Sequence, residues 1–157
     1  MQLVISRDLL LQAINLISKA ADKRHNMVIL GNMKLALTDS QLVMVASDLE
    51  LELQATLNLP ESACKQPGEI TVPANKFKDI VKLLPDGLPV SISVGNDNQC
   101  LIVCGSSRFK LSTLPAQDFP LLGEPEQVTP IQLGREDLVD LLDKTHFAMA
   151  VQDVRYY

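Results

Sequence analysis

Near residue 50, acidic residues alternate with leucines, and the acidic members are Asp48, Glu50 and Glu52. In a strand, alternate residues project from one face, so these carboxylates would form a row that could hold a metal ion or act as acid and base. An enzyme of this kind would use Asp48 and Glu50 together with His146. However, the sequence has no P-loop, Rossmann fingerprint or HExxH motif, and its two histidines lie far apart. A solvated acidic face opposite buried leucines is therefore favoured.

The cysteines are a second group that could carry chemistry. Cys64, Cys100 and Cys104 make an odd count without CxxC spacing. In a strand, Cys100 and Cys104 would share a face, which leaves a metal or redox role open. An odd count without metal-ligand spacing is more typical of reduced structural thiols. We therefore expect no metal and no cofactor.

Positive charge is concentrated on one predicted helix although the chain has a net charge of −5. This net charge argues against a protein that coats nucleic acid nonspecifically. Residues 73–84 are predicted to form a helix with an apolar stripe made of Phe77, Ile80, Val81 and Leu84. Its other positions include Lys78 and Lys82, with Lys76 at the flank. The helix is thus basic, and a merely solvated face is the alternative interpretation.

The elements that would position these residues follow from hydrophobic periodicity. Residues 2–6 read as a strand, residues 8–20 as a helix and residues 33–59 as strands with a turn at 38–41. After a loop at 60–68 come a strand at 69–72, the basic helix, and strands at 88–94, 99–104 and 107–114. The order repeats one strand-helix-strands motif. The pattern predicts an α+β fold with antiparallel sheet and both helices on one face.

Two prolines and an internal repeat predict a domain boundary. Pro115 and Pro120 lack the amide hydrogen that a sheet ladder needs. The opening ISRDLL at 5–10 reappears as LGREDL at 133–138, which indicates duplicated domains. We expect one complete domain over residues 1–120 and the start of a second over 121–157.

No apolar run has the ~18 residues of a membrane span and the N-terminus is too short for a signal peptide, so a cytoplasmic location is expected.

Several long stretches resemble the family of the bacterial DNA polymerase III beta subunit, or sliding clamp. They are ILGN at 29–32, SDLELEL at 47–53, TVPANKF at 71–77, SRFKLSTLPAQDFP at 107–120 and QDVRYY at 152–157. The resemblance implies the DNA-clamp fold and a replication processivity factor without catalysis. In the family, a head-to-tail homodimer of three-domain chains encircles duplex DNA and tethers the polymerase, with helices lining the hole and sheets outside.

The resemblance also implies roles for individual residues. For duplex and primed-template DNA they are Arg24, Lys76, Gln152, Tyr156 and Tyr157, the last three in a loop that touches single-stranded template. For the dimer interface they are Ile80, Leu84, Arg108, Phe109, Lys110 and Leu111. Asn75 stands where relatives can carry a cation. Ordinary core packing is the alternative for the apolar interface residues and for the tyrosine pair.

Two departures from the family pattern limit what is expected of this chain. Met27-Val28 replaces a Leu-Pro pair common in relatives, so the preceding loop is expected to be less rigid. The family also has three domains, whereas this chain is expected to end at the opening of the second. The groove for polymerase III and clamp-loader peptides lies in the family between the second and third domains, outside these residues. A further alternative is an interaction module that pairs another strand with the edge at residues 108–111.

Overall fold

The computed structural model describes residues 1–21, 27–60, 62–95, 98–123 and 129–149. Within these residues the nine strands are β1 (Gln2–Ser6), β2 (Asn32–Leu37), β3 (Gln41–Ser47), β4 (Glu52–Asn58), β5 (Cys64–Gln66), β6 (Gly68–Pro73), β7 (Pro89–Val94), β8 (Gln99–Cys104) and β9 (Ser107–Ser112). The α-helices are α1 (Arg7–Ile17), α2 (Ala74–Leu83) and α3 (Arg135–His146).

Helices α1 and α2 form where the apolar period predicts them. In α1 the buried residues recur at helical spacing and are Leu10, Ala13, Ile14 and Ile17. A 3-10 turn, Ser18–Ala20, continues the helix to the predicted end. In α2, Phe77 and Val81 are buried, and Pro73 precedes the first helical residue, where its missing amide hydrogen leaves no intrahelical bond unmade.

The strands form two antiparallel sheets that exchange their first strands. One sheet has the order β5-β1-β7-β8-β9 and the other has the order β4-β3-β2-β6. Strand β1 of the first motif therefore pairs with β7 of the second motif, and β6 of the second motif pairs with β2 of the first. The repeated strand-helix-strands motif predicted from the sequence is confirmed, and each sheet contains strands from both copies.

One apolar core lies between these sheets and the two helices. Alternate residues of β3, Leu42, Met44 and Ala46, point into it, as do alternate residues of β8. Phe77 of α2 is fully buried in the same cluster. Both sheets are thus apolar on the face that meets the helices.

Two features differ from the sequence-based expectation. Residues 48–51 were predicted to be strand, but they form the turn between β3 and β4, in which Leu49 has a φ of 76°. The alternation of acids and leucines resembles the pattern of a strand. A turn forms instead because the Asp48 carboxylate accepts hydrogen bonds from the Glu50 and Leu51 amides at 3.0 and 2.7 Å. Strand β5, which pairs with β1, lies in a segment predicted to be loop.

Contacts along the chain divide it into two units, Met1–Leu122 and Gly123–Tyr157. In the second unit α3 begins at Arg135, as α1 begins at Arg7, in line with the repeated sequence. None of the α3 residues is buried. Among the described residues, no helix is both long enough and apolar enough to cross a membrane.

Candidate nucleic-acid interface

Helices α1 and α2 pack against each other, and both bury their apolar stripes in the same core. We call the exposed residues of the two helices, which lie away from that core, the helix face. Its exposed residues on α1 and the following turn include Gln12, Asn15, Leu16 and Lys19; those on α2 are Lys76, Asp79, Lys82 and Leu83. The surface is thus polar with a small excess of cations. Such a surface can attract a phosphate backbone without forming many fixed ion pairs.

The positions of two lysines differ from the prediction. Lys76, expected at the flank of α2, is exposed, while Lys78, expected on the exposed side, is half-buried. The Lys78 ammonium group donates a hydrogen bond to Ser18 Oγ at 3.1 Å, across the junction of the two helices. Lys78 therefore joins the helices, whereas Lys76 and Lys82 are available to a ligand on the helix face.

Arg7 fixes the relative position of the two helices, a role that the sequence did not reveal. Its Nε donates to Val81 O at 3.2 Å and its Nη2 donates to Lys82 O at 2.9 Å, so the guanidinium caps the C-terminal end of α2. Asp8 and Asp86 pair with the same side chain. The only sequence signal was the recurrence of Arg at the start of both repeats.

Strand β9 lies at the edge of the five-stranded sheet, where it pairs with β8. Arg108 and Lys110 are exposed, and Phe109 and Leu111 alternate with them toward the core. An edge strand offers unpaired backbone groups to another strand. The edge position predicted for residues 108–111 is therefore present, and cations flank it.

The four apolar residues assigned to the dimer interface differ in burial. Leu84 is 3% exposed and Leu111 is 7% exposed, and both belong to the core. Ile80 and Phe109 are half-buried and pack against that core. Ile80 and Phe109 therefore retain surface for a partner, while Leu84 and Leu111 retain almost none.

Four of the predicted DNA contacts lie outside the described residues: Arg24, Gln152, Tyr156 and Tyr157. Of the predicted DNA set, the structure thus places Lys76 only. Met27 and Val28, the residues that depart from the family pattern, are exposed. The residues of the edge strand and of α2 assigned to the interface are all described.

The acidic and thiol alternatives find little geometric support. The Asp48 carboxylate is engaged with backbone amides of its own turn, and His146 belongs to the second unit. Within the described part of the chain, no group of three or more His, Cys, Asp or Glu side chains could hold a metal ion. Burial raises the pKa of the Cys100 thiol from 9.0 to about 12, which keeps it protonated and unreactive at neutral pH.

Two exchanged antiparallel sheets, a pair of helices with a cationic outer face and an open edge strand define an α+β domain of the DNA-clamp class. Residues 1–123 match the family described as DNA polymerase III beta subunit, N-terminal domain, and the chain belongs to this family. The beta sliding clamp of Pseudomonas putida is 41% identical over all 157 residues, and the beta sliding clamp of Escherichia coli is 38% identical over the same length.

Solved structures agree with this assignment. A DnaN sliding clamp from Pseudomonas aeruginosa superposes with a TM-score of 0.91 at 41% identity, over 100% of this chain and 42% of that chain. A Caulobacter crescentus beta sliding clamp superposes with a TM-score of 0.93 at 35% identity, over 100% of this chain and 41% of that one. The chain spans 42% of the length of the curated relatives named above.

Proposed function

We propose that this chain is the N-terminal part of a replication sliding clamp, a non-catalytic accessory subunit of the DNA polymerase III holoenzyme that acts in the cytoplasm. The observation that carries the proposal is the helix face, on which Lys19, Lys76 and Lys82 are exposed in a chain of net charge −5. A ring must hold DNA by enclosing it and still slide. A thinly basic lining inside an acidic body meets both needs, because few phosphate contacts are made at any one position.

In this proposal the chain supplies one complete clamp domain, residues 1–120, and the start of a second, residues 121–157. The helix face lines the hole around duplex DNA, and the two sheets form the outer side. Lys76 contacts the phosphate backbone together with Arg24. Gln152, Tyr156 and Tyr157 contact single-stranded template, where each tyrosine that stacks on a base contributes ~1–3 kcal/mol.

The same proposal assigns β9 to the contact between two chains in a head-to-tail homodimer. Its open edge would be completed by a strand of the second protomer. Phe109 and Ile80 supply apolar contact, with Leu84 and Leu111 behind them, and Arg108 and Lys110 meet acidic groups of the partner. Polymerase III and the clamp loader would bind a groove formed by residues beyond this chain.

The decisive experiment uses a chain extended to the full length of the relatives and loaded onto nicked circular DNA. We expect it to stay bound in 0.5 M salt and to be released when the circle is cut, because enclosure rather than charge retains it. Arg24→Glu combined with Lys76→Glu should slow loading without unfolding the domain, and Lys65→Glu, an exposed lysine on β5, serves as the control. If the protein were lost equally from circular and from linear DNA, the proposal would be contradicted.

A second candidate, a β-edge interaction module without a DNA role, is favoured by the open position of β9. In that case, crosslinks from Arg108 or Lys110 would lead to a strand of another protein. Loading onto circular DNA would then fail while the crosslink to that protein persisted. The two candidates therefore predict different outcomes in the same preparation.

A further inference from the structure

The segment after β9 is attached along the four-stranded sheet. Leu114 and Thr71 of β6 form an isolated bridge, in which the Thr71 amide donates to Leu114 O at 3.2 Å. The Thr71 hydroxyl lies 3.1 Å from Leu114 O and receives a hydrogen bond from Asn32 Nδ2 at 2.9 Å. Thr71 and Asn32 are both buried, so their hydrogen bond is shielded from water, and the part-buried contact from Thr71 to Leu114 fixes the start of the segment.

The middle of the segment is held by an apolar side chain. Phe119 is 5% exposed and packs in a small cluster with Ile29, Val45 and Val43. Val43 and Val45 alternate along β3 with Leu42 and Met44, which face the main core. Phe119 therefore lies on the side of the sheet away from the helices.

The end of the segment reaches the opposite edge of the same sheet. The Leu122 amide donates to Glu52 Oε2 at 2.8 Å, and Glu52 begins β4. Since the strand order is β4-β3-β2-β6, residues 114–122 cross from one edge strand to the other, a width of ~14 Å for three strand spacings. We call residues 114–122 the strap.

We propose that the strap is a releasable latch that sets the length of the connection between the two units of the chain. While it is docked, the connection starts at Gly123, beside β4. When Phe119 leaves its cluster and Leu122 leaves Glu52, the free connection starts near Leu114 and lengthens by up to ~30 Å of extended chain. The Glu52 contact is exposed, whereas the part-buried Thr71 contact is backed by the buried hydrogen bond from Asn32, so the Glu52 contact opens first and the Thr71 contact opens last.

The latch needs little rearrangement of the domain. Its largest apolar anchor, Phe119, belongs to a cluster separate from the main core, and the smaller buried Ala116 belongs to neither cluster, so release of the strap leaves the sandwich of sheets and helices packed. In a ring that opens for loading, an extendable connection supplies slack between neighbouring domains. Only this consequence rests on the proposed clamp function.

Amide hydrogen exchange on the 157-residue chain tests the latch without DNA, so its result is independent of the clamp proposal. Phe119→Ala should speed exchange within the strap about tenfold or more while β2, β3 and β6 stay protected. Leu121→Ala, which truncates an exposed leucine in the same segment, should leave exchange unchanged. Glu52→Ala, which removes the acceptor of the Leu122 amide, should accelerate Leu122 alone.

Each outcome of the hydrogen-exchange experiment either supports or overturns the latch. A strap that opens in the wild type with little dependence on denaturant, ahead of global unfolding, supports the latch. If Phe119→Ala exchanged like Leu121→Ala, the strap would not be docked through Phe119 and the proposal would be overturned. Equal deprotection of the strap and of β2, β3 and β6 in both Phe119→Ala and Glu52→Ala would also overturn it, because the segment would then unfold only with the domain.

Discussion

Arg7 joins the two helices through a single side chain. Its guanidinium donates to two carbonyl groups at the end of α2 and pairs with Asp86, while its own backbone starts α1. The planar fork matches two acceptors at once, which an ammonium group or an amide does not reproduce. Its loss therefore leaves helix-end carbonyls without this donor and removes the link between the helices.

We predict that Arg7→Gln lowers the free energy of unfolding by about 1–3 kcal/mol, the range for losing charge-assisted hydrogen bonds at a part-buried site. Urea denaturation measures the change. Arg108→Gln, an exposed arginine on β9, is the matched control and should shift stability by less than about 0.5 kcal/mol. An equal effect of the two substitutions would show that the helix-end contacts of Arg7 contribute nothing.

Cys100 gives a pH dependence with a defined sign. Its pKa is 9.0 when unperturbed and about 12 in the folded chain, because burial disfavours the thiolate. Between these values the unfolded chain loses the proton while the folded chain keeps it. The contribution of this thiol to stability is complete below pH 9 and declines as pH rises toward 12, by up to about 1.4 kcal/mol per pH unit.

Cys100→Ala removes the contribution of this thiol to the pH dependence of stability. The comparison with wild type separates that contribution from those of the other titrating groups. From pH 9 to 10.5 we expect wild type to lose about 1.5 kcal/mol more stability than the variant. Urea unfolding of both proteins at each pH gives the difference. Parallel pH profiles for wild type and Cys100→Ala would contradict the raised pKa.

At the scale of single elements, periodicity predicted most of the fold. The buried stripes of α1 and α2 and the alternation in β7, β8 and β9 are local patterns, so they are visible in one sequence. Strand β5 was missed because three residues are too few to show the two-residue alternation of a strand, and because its partner β1 is distant in the chain. The turn at 48–51 was misread because the Asp48 hydrogen bonds that form it leave no mark on the pattern of polar and apolar residues.

The candidate site was predictable to a similar degree. The basic character of α2 and the edge position of β9 follow from residue types in order. Which lysine of α2 is exposed depends on the rotation of the helix against Ser18, a tertiary contact. The support given by Arg7 likewise depends on a partner distant in sequence, at Val81.

The burial of the β9 residues refines the dimer prediction. A charge at Leu111, which is buried in the core, would unfold the domain, whereas Phe109 is half-buried and packs at its margin. In a chain of the relatives' full length, Phe109→Glu should therefore convert dimers into folded monomers, as measured by sedimentation velocity. Val28→Glu, at an exposed apolar residue away from β9, should leave the dimer intact. Intact dimers of Phe109→Glu would remove β9 from the interface.

At the scale of the first unit, the exchange of strands ties the two sheets into one folding unit. Strand β1 completes the sheet of the second motif and β6 completes the sheet of the first. Neither motif can bury its helix or satisfy its strand edges while the other is unfolded. The shared core, which draws on both sheets and both helices, adds to this dependence.

We therefore predict that the two sheets unfold together. The slowest amides of β3 and of β8 should exchange with the same free energy of opening, and denaturant should lower both with the same slope, because each opening exposes the surface of the whole unit. Native-state hydrogen exchange over a denaturant series measures both quantities. Since β1 and β6 are exchanged, weakening one sheet by Val72→Ala on β6 should lower protection in β8 as much as in β3. A smaller slope for one sheet, with the other still protected, would mean that each motif folds alone despite the exchanged strands.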